Sequence, residues 1–156
     1  MFESIKSVLS KARNLKPDKL LYSIYIRNDI KRIIINLNRI NQLTKGLNSD
    51  GETIGVYSIV TDITSENTVF IFEGNQYEKI AGEPYNFVDT GDFFRSFQVQ
   101  VEGDGFIIFA DDNKEDESLT DKYGENILGL SRESLNELAE KITPILIEST
   151  RKELFK

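Results

Sequence analysis

Apolar residues recur with a period near 3.6 at both ends of this 156-residue chain and with strand-like spacing only in the middle, so helices are expected to flank a β-rich centre. From Asp18, placed to cap, the residues Leu20, Leu21, Ile24, Ile30, Ile33, Ile34, Leu37 and Ile40 predict a long helix to about Lys45. The β-branched run Ile33-Ile34-Ile35 also suits a strand. Ahead of it, Phe2, Ile5, Val8, Leu9 and Ala12 predict a short amphipathic helix over 2–13, and Pro17 begins a new element. At the far end Ser131 is a good cap, Glu133 complements the helix dipole, and Leu135, Leu138, Ala139, Ile142, Ile145 and Leu146 form one stripe. Pro144 removes a backbone bond inside that stripe and predicts a kink or a split near Ile142-Thr143. The last piece, with Leu154 and Phe155, either reaches a neighbouring subunit or folds back on the same core.

Between these ends Gly46 and Asn48-Ser49-Asp50-Gly51 stop the helical pattern. Strands are expected at 53–60, 68–73, 95–101 and 105–110, with turns at Ser65-Glu66-Asn67, Gly74-Asn75 and Gly103-Asp104-Gly105. The clearest hairpin signal is Asp104-Gly105 between Gln98-Val99-Gln100-Val101 and Phe106-Ile107-Ile108-Phe109. Segment 75–92, which holds Pro84 and several glycines, is then a long excursion over one sheet face. The expected fold is α+β: a twisted antiparallel sheet of about four strands packed by N-terminal and C-terminal helices. A chain of this length suits one domain over 1–156, with a basic helical segment 1–45, an acidic β-rich core 46–130 and a C-terminal helix 131–156.

The absence of cysteine and histidine narrows the chemistry more than any motif does. Without them there are no disulfides, no thiolate nucleophile, no imidazole ligand or base, and no Ser-His-Asp constellation. Carboxylate, lysine or tyrosine chemistry remains. The acidic run Asp111-Asp112-Asn113-Lys114-Glu115-Asp116-Glu117 fails as a calcium loop, because Asp116 falls where glycine is needed and Lys122 where a bidentate glutamate is needed. It is expected to be a solvated loop or an acidic surface for a basic partner, and no cofactor or metal is expected. The start Met1-Phe2-Glu3-Ser4-Ile5-Lys6 lacks the pattern of a signal peptide, and no apolar run approaches the roughly 20 residues that span a bilayer. The chain is expected to stay in the cytoplasm or to be packaged from it.

Charge is polarised along the chain: residues 1–45 carry a net +7, residues 46–130 a net −14, and the remainder is balanced. The two regions either neutralise each other within one fold or join the basic face of one subunit to the acidic face of the next. DNA binding by the basic segment ranks below both, since the acidic field opposes phosphate and no base-reading motif accompanies it.

Val88-Asp89-Thr90-Gly91-Asp92-Phe93-Phe94-Arg95-Ser96-Phe97 admits two readings. Asp89-Thr90-Gly91 after apolar residues matches the catalytic turn of a homodimeric retropepsin-like aspartic protease, with Ile127-Leu128-Gly129 as its supporting element. Against this, Asp92 adds a charge beside a dyad that must share one proton, and only 37 residues separate Gly91 from Gly129. In the other reading the segment is a structural turn, with Phe93, Phe94 and Phe97 packed inward.

Thr90, Gly91, Phe94, Arg95 and Ser96, then Phe109-Ala110, then Leu128-Gly129-Leu130-Ser131 before the last helix together resemble the tail-completion (virion morphogenesis) proteins of tailed phages. The resemblance covers roughly 88–150. The sequence departs from that pattern where Ser96 directly follows Arg95, where Phe109 replaces tyrosine, and where acids replace a basic stretch before the last Gly-Leu-Ser. Gln42-Leu43-Thr44-Lys45-Gly46 and 49–58 are also similar to structural proteins of Bacteroidetes phages. The resemblance implies a non-enzymatic component of a phage particle, a tail-completion or head-tail connector (neck) protein that assembles as a homo-oligomeric ring. Its partners would be other phage structural proteins, and its location the virion neck or tail after synthesis in the host cytoplasm. Asp89, Thr90, Gly91, Phe94, Arg95 and Ser96 would form a structural turn or interface, with Arg95 pairing to Asp89 or Asp92.

Overall fold

The helical period of the N-terminal region is divided among short helices. The structure, a computed structural model, describes residues 5–65, 68–114 and 117–155. Phe2 at the expected helix start, Glu66-Asn67 of one expected turn and Glu115-Asp116 of the acidic run lie outside them. Helix α1 spans Ile5–Asn14, α2 Pro17–Tyr25 and α3 Asn28–Asn36, followed by a π-helical turn over Leu37–Gln42 and a 3-10 turn over Leu43–Lys45. The single helix expected from Asp18 is therefore broken at Ile26-Arg27. Arg27 has extended backbone, and its guanidinium grips Asp29 in the first turn of α3 at 3.1 and 2.7 Å. Burial is kept across the break, with Ile24 inside before it and Ile30 and Ile34 inside after it. Ile33-Ile34-Ile35 is helical.

Among the described residues the expected four-stranded sheet is replaced by three separate two-stranded antiparallel ladders. Strand β1 (Phe70–Phe72) pairs with β2 (Asn75–Tyr77), β3 (Gln98–Glu102) with β4 (Gly105–Phe109), and β5 (Asn113–Lys114) with β6 (Glu117–Ser118). The strand expected at 53–60 does not form. Thr53, Val56 and Tyr57 make single bridges to Leu47, Pro84 and Ala81. Pro84 has no N–H with which to extend a ladder beside Val56. Ser58 then caps a helix, α4 (Ile59–Thr64), by accepting from the Thr61 N–H at 3.1 Å. Arg95 does not open a strand either, because it closes the short helix α5 (Asp92–Arg95).

The β3–β4 hairpin forms where the sequence signals it. Val99 faces Ile108 across the ladder and both are buried. The hairpin lies on α2 and α3, with Tyr25 edge-on to Phe106 at 5.2 Å. Helix α6 (Leu119–Tyr123) and a 3-10 turn (Glu125–Ile127) lead to α7 (Arg132–Leu154), which packs on α1, α2 and α3. Pro144 does not split α7. The carbonyl it leaves without a donor belongs to Glu140, and both residues are exposed, so water can take the missing bond. Beyond Pro144, Ile145 and Leu146 pack against the same core while Phe155 remains exposed. One apolar cluster draws on all three segments of the chain: Ile34 and Leu43, then Phe72, Val88, Phe94 and Ile127, then Leu138 and Ile142.

Candidate functional site

The loop from 78 to 91 is shaped by one buried amide. Asn86 Oδ1 accepts from the Tyr57 hydroxyl at 3.0 Å and from the Val88 N–H at 3.0 Å, while its Nδ2 donates to the Glu78 carbonyl at 2.8 Å. Its own N–H donates to the Tyr57 oxygen at 3.1 Å. These bonds hold the next residue, Phe87, at φ 55, a left-handed backbone that bulky side chains avoid. Val88 is then fully buried, and Asp89 meets Lys79 at 3.4 Å. The same lysine lies over the Phe70 ring at 4.4 Å, which fixes it at the wall.

The Asp-Thr-Gly turn opens a helix. Gly91 sits at φ 82 as the residue before α5, and a Cβ there would come within 2.7 Å of Arg95 Nη1. Arg95 Nη2 donates to the Thr90 carbonyl at 2.8 Å and to Asp92 Oδ1 at 2.6 Å, so its acidic partner is Asp92 and not Asp89. Thr90 Oγ1 donates to Asp92 Oδ2 at 2.5 Å. That bond, followed by Arg95, holds the Asp92 carboxyl below its ordinary range. Phe94 points into the core. Ser96 Oγ donates to the Phe93 carbonyl at 2.7 Å and accepts from the Asp111 N–H at 2.9 Å, tying α5 to the exit of β4. Because the Arg95 side chain is 60% exposed, Arg95→Ala is expected to lower the melting temperature by only about 2–4 °C, the scale of a surface ion pair. A thermal scan showing a fall several times larger would mean that the turn depends on Arg95 for more than this pair.

Asp89, Thr90, Gly91 and Ser96 border a cavity of about 400 Å³. Its apolar wall is a ring cluster, Tyr57, Tyr85, Phe87, Phe93 and Tyr123, joined by edge contacts such as Phe87 to Tyr123 at 5.1 Å and Tyr57 to Tyr85 at 5.0 Å. Burial raises the Tyr57 and Tyr123 hydroxyls above their usual range, so both stay protonated at neutral pH. Among the described residues no three acidic side chains gather as a metal site.

Asp112, between the cavity-lining Asp111 and Asn113, anchors α6. Its Oδ2 accepts from Ser118 Oγ at 2.6 Å, from the Thr120 N–H at 3.1 Å and from Thr120 Oγ1. These donors favour the charged form and bring its pKa from 3.8 down to about 2. Its contribution to stability is therefore complete above the unfolded value and lost as pH falls from about 4 towards 2. Melting temperature followed through that window should fall more steeply for the native protein than for Asp112→Asn, and equal slopes would count against the anchor.

Of the residues singled out in sequence, the structure brings Asp89, Thr90, Gly91 and Ser96 together at the cavity, sends Phe94 into the core and leaves Arg95 exposed outside the cavity lining. Ile127-Leu128-Gly129 does not support the Asp-Thr-Gly turn. Its carbonyls at Ile127 and Gly129 accept instead from Asn38 Nδ2 at 3.2 Å and Gln42 Nε2 at 3.0 Å. Asn86, Lys79 and the ring wall carry no motif in the sequence, although the close spacing of Tyr85 and Phe87 is a visible signal. No family model, curated protein or solved structure gives a match to this chain.

Proposed function

We propose that the chain is a non-enzymatic structural subunit of a phage particle, of the tail-completion or head-tail connector kind, assembling as a ring with copies of itself and with other particle proteins. The observation that carries this reading is that the residues shared with those proteins brace one another. Gly91 opens the turn, Arg95 closes it onto Thr90, and Ser96 takes the backbone just after Phe109-Ala110. Ser131 of the Leu-Gly-Leu-Ser run caps α7 while its N–H donates to Gln42 at 2.9 Å. Such bracing suits a rigid subunit that presents loops to neighbours.

The Asp89–Lys79 pair supports the same reading over the aspartic protease, whose carboxylates must share a proton with each other and not face a cation. An interface is also at hand on α4, where Ile59, Val60 and Ile63 are 70%, 69% and 65% exposed. Among the described residues no helix is long and apolar enough to cross a membrane.

Quantitative mass spectrometry of purified particles tests the proposal by counting this chain against the major capsid protein. A ring-like count, on the order of six or twelve per particle, is expected. Absence from intact particles would overturn it, and acid-pH peptide cleavage lost in Asp89→Asn would put the protease in its place.

A further inference from the structure

We infer that the aromatic cavity beside Asp89-Thr90-Gly91 is a binding site for an organic cation, the guanidinium or ammonium head of an arginine or lysine side chain presented by another protein chain. The site stands whether or not the chain belongs to a particle.

Size comes first. A space of about 400 Å³ falls within the range of small-ligand pockets and accommodates one long side chain. The wall then selects the chemistry. Ring faces carry negative quadrupole potential, and Tyr85, Phe87 and Tyr123 meet one another edge to face, at 5.3 Å between Tyr85 and Tyr123, while Lys122 Nζ already lies 5.5 Å from the Tyr123 centroid, a cation held on one of these rings. An apolar stem gains by burial against such rings, and a cationic head gains more than a neutral one.

The carboxylates divide unevenly. Asp89 faces Lys79, and Asp92 faces Arg95. Asp111, which also lines the cavity, accepts at Oδ1 from the Asn113 N–H at 3.3 Å and Nδ2 at 3.2 Å, both neutral donors. Asp111 is exposed, and among the described residues no cation is paired with it, so its charge is open to a cation that enters. An anionic ligand would meet that carboxylate, while the lysine that could attract it is already held by Asp89 and the Phe70 ring.

The backbone adds an independent mark. Phe87 is held at φ 55 by the bonds of Asn86, and this unfavourable conformation is what sets its ring into the wall. Strain fixed by buried hydrogen bonds recurs at sites that clamp ligands.

Two sources present the same head group. The first 45 residues of a second copy carry a net +7, and in α1 the side chains of Lys6 and Arg13 are exposed beside Ile5 and Leu9, in a helix with no buried residue. A different basic protein would supply it equally well.

The test uses the full chain and three capped pentapeptides that differ only at the centre: arginine, citrulline or norleucine. The chain has no tryptophan, so tyrosine emission is not masked, and three of its six tyrosines line the cavity. Saturable quenching by the arginine peptide is expected, with the citrulline and norleucine peptides about tenfold weaker or more. Asp111→Asn and Tyr123→Leu should each weaken the arginine peptide about fivefold, and Tyr123→Leu should leave the norleucine peptide unchanged. Amide NMR spectra of the two variants, unaltered away from the cavity, establish that both are folded. A peptide of residues 5–16 that binds like the arginine peptide assigns the source to a second copy. Its failure beside a binding arginine peptide assigns the source to another protein. Equal binding of arginine and citrulline, no binding by any peptide at millimolar concentration, or arginine binding untouched by both substitutions would each overturn the inference.

Discussion

Phe94→Ala is expected to lower the free energy of unfolding by about 3–5 kcal/mol, the cost of removing a fully enclosed aromatic ring and leaving a cavity. Phe94 has no exposed surface and touches Phe72, Phe93 and Phe97, with ring centroids at 4.9, 5.7 and 6.1 Å. Collapse around the void is hindered on one side by a part-buried cation. Arg39 Nη1 donates to the Phe94 carbonyl at 2.8 Å, its Nη2 reaches Asn36 at 2.7 Å and Glu73 at 2.6 Å, and its guanidinium lies over Phe72 at 5.1 Å. Burial opposes the charge on Arg39, and its Nε is buried without a partner, so movement of the Phe72 ring would disturb a group already short of contacts. Urea denaturation of Phe94→Ala and Phe94→Leu separates the cavity from the helix. The leucine variant, which keeps much of the volume, should lose less than half as much as the alanine variant. A loss under about 1.5 kcal/mol for alanine would mean that the aromatic cluster can close over the gap.

Phe94 also illustrates what a sequence exposes. Its burial is expected from a run of aromatic residues behind a turn, and the hairpin from alternating residues around Asp104-Gly105, although the ladder pairs Gly105 with Glu102 and leaves Gly103-Asp104 as the turn. Both are local signals that survive into the fold, as are the helices at the two ends. The break between α2 and α3 was legible in principle: Ile24 and Ile30 are six apart, a step that fits no helical face, with Arg27 and Asn28 between them. The absent four-stranded sheet was not. Whether two hairpins join depends on which edges meet, and here Pro84 opposes Val56 while Ser58 turns the chain into α4. The cavity was legible only at its polar rim. Asp89-Thr90-Gly91 is a contiguous motif, whereas Asn86 acts through three partners scattered over 57–88, which no spacing rule connects. The π-helical turn was hidden for a similar reason, since its gain lies in what it presents to residues nearly ninety positions away.

That gain makes Gln42→Leu the second large effect, an expected loss of about 2–4 kcal/mol from stranding buried polar groups. The π turn places Asn38 and Gln42 on the strip that receives residues 127–131. Gln42 is 1% exposed; its Nε2 donates to the carbonyls of Gly129 at 3.0 Å and Asn48 at 3.3 Å, and its Oε1 accepts from the Ser131 N–H at 2.9 Å. Leucine fills the space and satisfies none of the three, while the carbonyl of Gly129 and the N–H that begins the α7 cap stay buried or half-buried. Volume alone therefore cannot rescue the site. Gln42→Glu distinguishes lost hydrogen bonds from lost packing, because a carboxylate can still accept from Ser131 but turns a lone pair towards the carbonyls that need a donor. Protonation supplies one O–H donor, enough for one of the two carbonyls. Burial and the facing carbonyls would raise the folded pKa of the introduced carboxyl above its unfolded value of about 4.3, so the variant should be least stable at neutral pH and regain stability as pH falls towards about 5 and below. Denaturant midpoints measured from about pH 7 to about pH 4.5 should move towards the native protein for Gln42→Glu and keep their separation for Gln42→Leu. A Gln42→Leu chain as stable as the native one would mean that water replaces the amide, and the π turn would then need another explanation.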